Sequence, residues 1–222
     1  MILFDLTTFC RSVTGAGVGW AELIRRFPKL MPNDFKLVAY LPENHSLPLD
    51  MEALSGFQVN VSIPRGRYLK YIPSFIRAGN RDVLHMGHYQ NYPLFPGKKV
   101  VTVHDFTYEK YFSWHRRWTH GFLQRRAISS ADIIHCVSET TKQDLLYYYP
   151  NVVDRDIRVI SSAAGDGFYQ DPSAASESRA PYLLWVGKRA GYKNFAGALG
   201  CLDHLNKTGR PMKLIVAGAP LT

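Results

Sequence analysis

The stretch ADIIHCVSETTKQDLLYYY, residues 131–149, holds both halves of an α/β unit. Residues 131–137 form a short, partly β-branched apolar run, the pattern of a buried strand. Ser138 is a residue type that caps helices, and Glu139 suits the positive end of a helix dipole. Residues 139–149 then read as the helix.

The same alternation extends in both directions. Upstream, residues 2–7, 35–41, 57–63, 82–86 and 99–103 read as strands. Residues 18–30 read as a helix with Trp20, Leu23, Ile24 and Phe27 on one face, and residues 113–129 as another. A short helix over 69–77 is interrupted by Pro73. Downstream, residues 157–160 give one more strand. Alternation of this kind predicts an α/β fold: a doubly wound, mostly parallel sheet with helices on both faces.

Composition changes after residue 160. Residues 161–180 are rich in Ser, Ala, Gly, Asp and Pro and read as a linker. A strand (182–186), a helix (194–207) and a strand (212–217) follow. The expected organisation is a domain at 1–162, a linker at 163–180, and an incomplete second domain at 181–222. One βαβ unit cannot enclose a core of its own. On that expectation the chain is part of a longer protein, and Leu184, Val186, Leu214 and Val216 lie uncovered and drive self-association. The alternative is that the last βαβ unit extends the first sheet.

Bulk properties bound the function. The 222 residues are 46% hydrophobic, with 27 Lys plus Arg against 18 Asp plus Glu, a net charge of +9. That balance favours anionic partners. The basic clusters are Arg65–Lys70, Arg116-Arg117 and Arg125-Arg126. No zinc-finger spacing, aromatic RNA-binding signature or basic tail accompanies them, which argues against nucleic acid. No apolar run reaches the roughly 18–20 residues of a membrane span, and the N-terminus lacks a secretion signal. Cys10, Cys136 and Cys201 read as buried free thiols of a cytoplasmic protein.

In doubly wound sheets ligands bind beyond the carboxyl ends of the strands. Gly15, Gly17 and Gly19 follow the first strand and open a helix. They fit either a backbone anion site or a plain flexible connection. Their spacing matches neither a dinucleotide fingerprint nor a Walker loop. His88 follows the strand at 82–86, and His104-Asp105 follow the strand at 99–103. A histidine beside a carboxylate suits proton handling or polyol binding, and equally a backbone-satisfied turn. His85-x-x-His88 has no third ligand in sequence, so no metal site is expected. Trp114, Trp118 and Phe122 recur every fourth residue and read as a core stripe; with the arginines between them, the alternative is contact with an anionic membrane. Lys188, Arg189 and Lys193 lie between a strand and a helix, as a diphosphate site or a solvated basic turn.

Several motifs together resemble glycosyltransferase family 4, whose members have two facing Rossmann-like domains, the GT-B fold. They are TGAGVGW (14–20), DVLH (82–85), TVHDF (102–106), ADIIHCVSETTKQDL (131–145), IRVISSAAGDGFY (157–169) and WVGKRAGYKNF (185–195). The resemblance implies a glycosyltransferase that moves a sugar from a nucleotide-sugar donor to a saccharide or lipid-linked acceptor with retained configuration. It implies catalytic roles for His104 and Asp105 and diphosphate binding by Lys188, Arg189 and Lys193. Gly15, Gly17 and Gly19 would lie near the diphosphate or the acceptor, and His88, Ser138 and Glu139 would line the cleft. No metal or other cofactor is implied. The setting implied is cell-surface polysaccharide or lipopolysaccharide synthesis in the cytoplasm, with peripheral contact at the anionic inner membrane face. Three departures stand out: Lys188 at a position usually small or Arg, Trp20 where Arg is common, and no E-x7-E carboxylate motif up to Thr222. Without that motif the chain alone is expected to be inactive. The rivals are a nucleotide-sugar 2-epimerase of the same fold and a non-enzymatic binding remnant.

Overall fold

The computed structural model describes residues 1–7, 15–31, 36–41, 52, 54–61, 76–163, 165, 181–189 and 191–218. The basic cluster at 65–70, residues 69–75 of the expected short helix, Cys10 and most of the expected linker lie outside them. The chain divides into two compact units, Met1–Gly165 and Asp166–Thr222.

In the first unit the elements run β1 (Ile2–Asp5), α1 (Gly15–Leu30), β2 (Leu37–Leu41), β3 (Gln58–Val61), β4 (Val83–Gly87), β5 (Lys98–Val103), α2 (Thr107–Tyr111), α3 (Trp114–Ser130), β6 (Ile133–Cys136), α4 (Glu139–Tyr148) and β7 (Asp156–Val159). The seven strands form one sheet in the order β3-β2-β1-β4-β5-β6-β7. Every neighbouring pair is parallel. The order reverses between β1 and β4, and at such a reversal doubly wound sheets have their ligand crevice, at the carboxyl ends of the strands.

Period-two alternation sends neighbouring residues into two cores. Leu3, Val38, Leu84, Met86, Val101 and Val103 face one way, packed with Ala127, Ile128, Ile134 and Leu145. Phe4, Leu37 and Ala39 face the other way, against Trp20 and Ile24 of α1. Phe4 stands edge-on to Trp20, Phe27 and Phe57, with ring centroids at 6.4, 4.9 and 5.7 Å. That geometry suits the aromatic quadrupole.

Three expectations need correction. Trp114, Trp118 and Phe122 are not a core stripe: they are 71%, 70% and 42% exposed. The buried face of α3 is Leu123, Gln124, Ala127 and Ile128. Four-residue spacing marks a face without saying which face is inward. Helix α1 starts at Gly15 and not at residue 18, so Gly15 and Gly17 as well as Gly19 lie within its first turns. Cys136 is buried, whereas Cys201 is exposed. Helix α2 was not foreseen; five residues are too few to show a period.

The second unit contains β8 (Tyr182–Val186), α5 (Phe195–Lys207) and β9 (Lys213–Ala217), with β8 and β9 parallel. Among its described residues none is buried. Leu184 and Val186 are exposed, whereas Leu214 and Val216 are half-buried on the opposite face, so the expected uncovered set splits between two faces. Trp185 packs on Phe195 of α5 at 5.2 Å.

The junction of β4 and β5 tolerates no side chain at Gly97. A Cβ there would fall 2.0 Å from the Asp82 carbonyl oxygen, which already accepts from Lys98 N–H at 2.9 Å. Gly97→Ala should therefore lower the unfolding free energy by about 1–3 kcal/mol, the usual cost of overpacking. Urea denaturation measures it, and an unchanged midpoint would contradict the packing.

Candidate active site

The crevice between β1 and β4 is built on Asp5, the buried last residue of β1. Its carboxyl accepts from the backbone N–H of Thr7 at 2.9 Å and the Thr7 hydroxyl at 2.6 Å, and from the hydroxyl of buried Tyr92. Gln90 spans the crevice: its Nε2 donates to the Asp5 carbonyl at 3.2 Å and to Thr7 Oγ1 at 3.1 Å. Its Oε1 accepts from Gly87 N–H at 2.5 Å. These groups fix the two strand ends that form the crevice.

His88 and His104 stand beside it at the ends of β4 and β5, with ring centroids 6.0 Å apart. His88 Nδ1 lies 3.2 Å from the Thr102 carbonyl oxygen and 3.4 Å from His104 N–H. A neutral ring nitrogen serves only one of these, and the shorter contact makes Nδ1 the donor. Burial, then His104, pushes the His88 pKa down to about 4. Burial likewise pushes His104 down to about 4, with Asp105 opposing and His135 assisting. Both rings are therefore neutral near pH 7 and able to hydrogen-bond, and each is a weaker base than a free imidazole.

Two helices pin the turn that carries His104. Thr141 of α4 donates to the His104 carbonyl at 3.2 Å, and buried Gln124 of α3 donates to the Asp105 carbonyl at 3.3 Å. Asp105 itself is exposed, and its Oδ1 accepts from Thr107 N–H at 2.9 Å, at the start of α2. Ser138 has its capping role: its Oγ accepts from Thr141 N–H at 3.1 Å. Glu139 is exposed in the first turn of α4.

On the α1 side of the sheet a cavity of about 260 Å³ is lined by Trp20, His85, Thr102, His104 and His135, among others. His85 Nε2 and Thr102 Oγ1 are 2.8 Å apart, Thr102 Oγ1 and His135 Nδ1 3.1 Å, and His135 Nε2 and the Ile160 carbonyl oxygen 2.9 Å. The carbonyl can only accept, so His135 Nε2 donates to Ile160. In the tautomer that carries its proton there, Thr102 donates to His135 and His85 to Thr102. Burial, then His135 and His104, holds His85 down at about 3.

In the second unit, Lys188, Arg189 and Lys193 lie between β8 and α5. Gly187 has φ +124, and a Cβ on it would sit 3.3 Å from Lys193 Nζ. Lys193 thus lies over the backbone at the end of β8. Asn194, at φ 55, caps α5 by accepting from Gly197 N–H at 3.2 Å. Lys188 and Lys193 are exposed and Arg189 half-buried.

Asp5, Gln90, Tyr92, Gln124 and Thr141 escape sequence reading. Each is a polar residue in an apolar setting, and a single sequence does not show which polar residues turn inward. Among the described residues no group of three or more His, Cys, Asp or Glu side chains could hold a metal ion. No helix among them is long and apolar enough to cross a membrane.

The parallel sheet, its order and the helices that flank it define a Rossmann-like α/β domain. The model of Glycosyltransferase Family 4 matches residues 13–163, and the chain belongs to that family. No curated protein matches the sequence. Among solved structures it is similar to the Glycosylation Associate Protein (Gap123) complex from Streptococcus agalactiae, at 13% identity and a TM-score of 0.33. The match covers 63% of this chain and 26% of that one, so the chain spans about a quarter of that relative's length.

Proposed function

We propose that this protein takes part in moving a sugar, with retained configuration, from a nucleotide-diphosphate sugar to a saccharide or lipid-linked acceptor. The observation that carries the reading is the placement of buried His88 and half-buried His104, with ring centroids 6.0 Å apart, at the strand ends beside the switch point of a family 4 domain. His104 faces the sugar and exchanges hydrogen bonds or a proton with its hydroxyls, and Asp105 holds the turn that presents it. Lys188, Arg189 and Lys193 bind the diphosphate and neutralise its growing charge as the sugar departs. That neutralisation requires neither a metal nor another cofactor. The setting is cell-surface polysaccharide or lipopolysaccharide synthesis in the cytoplasm, where a net charge of +9 suits the anionic inner membrane face.

Lys193→Ala should weaken nucleoside diphosphate binding by about 10- to 150-fold, the worth of a hydrogen bond to a charged group. Lys193→Arg should lose less. The free nucleoside should bind parent and variant alike, because only the anion meets the lysine. His104→Ala should spare nucleoside diphosphate affinity while lowering sugar transfer. Calorimetric titration with UDP, GDP and ADP, and with their nucleosides, decides it. Equal diphosphate binding by parent and Lys193→Ala would make this turn merely a solvated one.

A further inference from the structure

Helices α2, α3 and α4 enclose a groove of about 550 Å³ lined by Glu109, Trp114, Arg117, Trp118, Phe122 and Arg125, among others. Its composition is unusual in two ways. Glu109 is only 9% exposed, yet neither of its carboxyl oxygens has a hydrogen-bond partner among the described residues. Above it, Trp114 and Trp118 stand largely in solvent, with Phe122 stacked on Trp118 at 6.1 Å and 18°. Eight residues of helix separate Trp114 from Phe122, so this aromatic strip is about 12 Å long. Leaving a buried carboxyl unsatisfied and two tryptophans exposed costs stability, and such costs persist where a ligand recovers them.

We propose that this groove binds an oligosaccharide chain, with sugar rings lying on Trp114 and Trp118 and a sugar hydroxyl hydrogen-bonded to Glu109. The chemistry selects this occupant. A saccharide presents C–H faces to the electron-rich faces of aromatic rings and hydroxyls to a carboxyl, and both features of the groove are then satisfied. A small cation is disfavoured because Arg117 and Arg125 share the groove. An apolar peptide or lipid tail would cover the tryptophans and leave Glu109 without a donor. The groove also adjoins the candidate active site through Tyr89, whose ring lies 4.1 Å from His88 and 6.4 and 5.4 Å from Tyr108 and His120, the chain neighbours of Glu109 and Gly121 in the groove wall. An acceptor chain reaching out of the crevice would run along α3. This deepens the proposed function and rests on it only for the expectation that saccharides are substrates; the test needs neither donor nor transfer.

The 222-residue chain is applied to an array of immobilised oligosaccharides, with phosphatidylglycerol vesicles as a separate arm. Retention on a subset of the oligosaccharides is expected. It should weaken about tenfold or more in Trp118→Ala, an exposed change that leaves the core intact. Glu109→Met should weaken it similarly while raising the melting temperature of the free protein, because a carboxyl that burial disfavours is gone. A purely structural Glu109 would give a lower melting temperature instead. The proposal is overturned if no oligosaccharide is retained, if both variants bind as the parent does, if only vesicles bind, or if Glu109→Met melts below the parent. Its failure leaves the Lys193 titration unaffected, so the two readings fall separately.

Discussion

Lowering the pH from 7.5 to 5.0 should remove several kcal/mol of stability. His85, His88 and His104 are held neutral, with pKa values near 3, 4 and 4, chiefly by burial. Unfolded, each titrates near 6.5. Between about pH 6.5 and pH 4 the unfolded chain therefore binds more protons than the folded one, and stability falls as pH falls. At pH 5 each histidine that stays neutral when folded costs about 2 kcal/mol relative to pH 7.5. Carboxyls do not cancel this. Asp82 is held low by the Gly79 N–H and the N-terminal ammonium. Asp132 is held low by Lys98 and Lys99, which outweigh its burial. Both stay ionised throughout the window. Glu109 acts in the opposite sense, since burial raises its pKa and the folded state protonates first, but it is one group against three. Urea denaturation at both pH values measures the loss. His85→Gln should flatten the dependence by about 2 kcal/mol. An unchanged dependence in that variant would mean that the His85–Thr102–His135 row is already open to solvent.

The fold was legible because its signals are periodic. Residues 131–149 read as strand, cap and helix, and the structure places β6, Ser138 and α4 there with boundaries shifted by at most two residues. The parallel sheet follows from many such units in sequence. What stayed hidden is direction. The spacing of Trp114, Trp118 and Phe122 was visible, but their outward orientation was not, because the arginines beside them suit either orientation. The candidate site was legible only where residues follow strands directly, as His88 and His104 do. Gln124 and Thr141 sit on helices that return to the turn carrying His104 about 20 and 40 residues later in the chain. Only the packed structure brings them there. Glu109 carried no signal at all: an acidic residue near a helix start is ordinarily solvated, and its burial depends on how α2 lies against α3.

Removing the Asp5 carboxyl should be the most damaging single polar change in the first unit. Asp5 ends β1 in a buried position and accepts from Thr7 N–H, the Thr7 hydroxyl and the Tyr92 hydroxyl. Asp5→Ala deletes the acceptor and leaves the buried Tyr92 hydroxyl to find another. It also releases the residue that carries the chain from β1 into the crevice. The expected loss is about 3–5 kcal/mol, since the three hydrogen bonds that the carboxyl accepts are lost together. Tyr92→Phe removes only one donor and should cost about 1–3 kcal/mol. The two changes share one hydrogen bond, so they should not add. A double-mutant cycle by urea denaturation should give a coupling of about 1–3 kcal/mol, with the double variant less damaged than the sum of the singles. Additive losses would mean that Tyr92 and Asp5 are neighbours without a shared bond. The crevice at the reversal of the sheet would then owe its shape to packing alone.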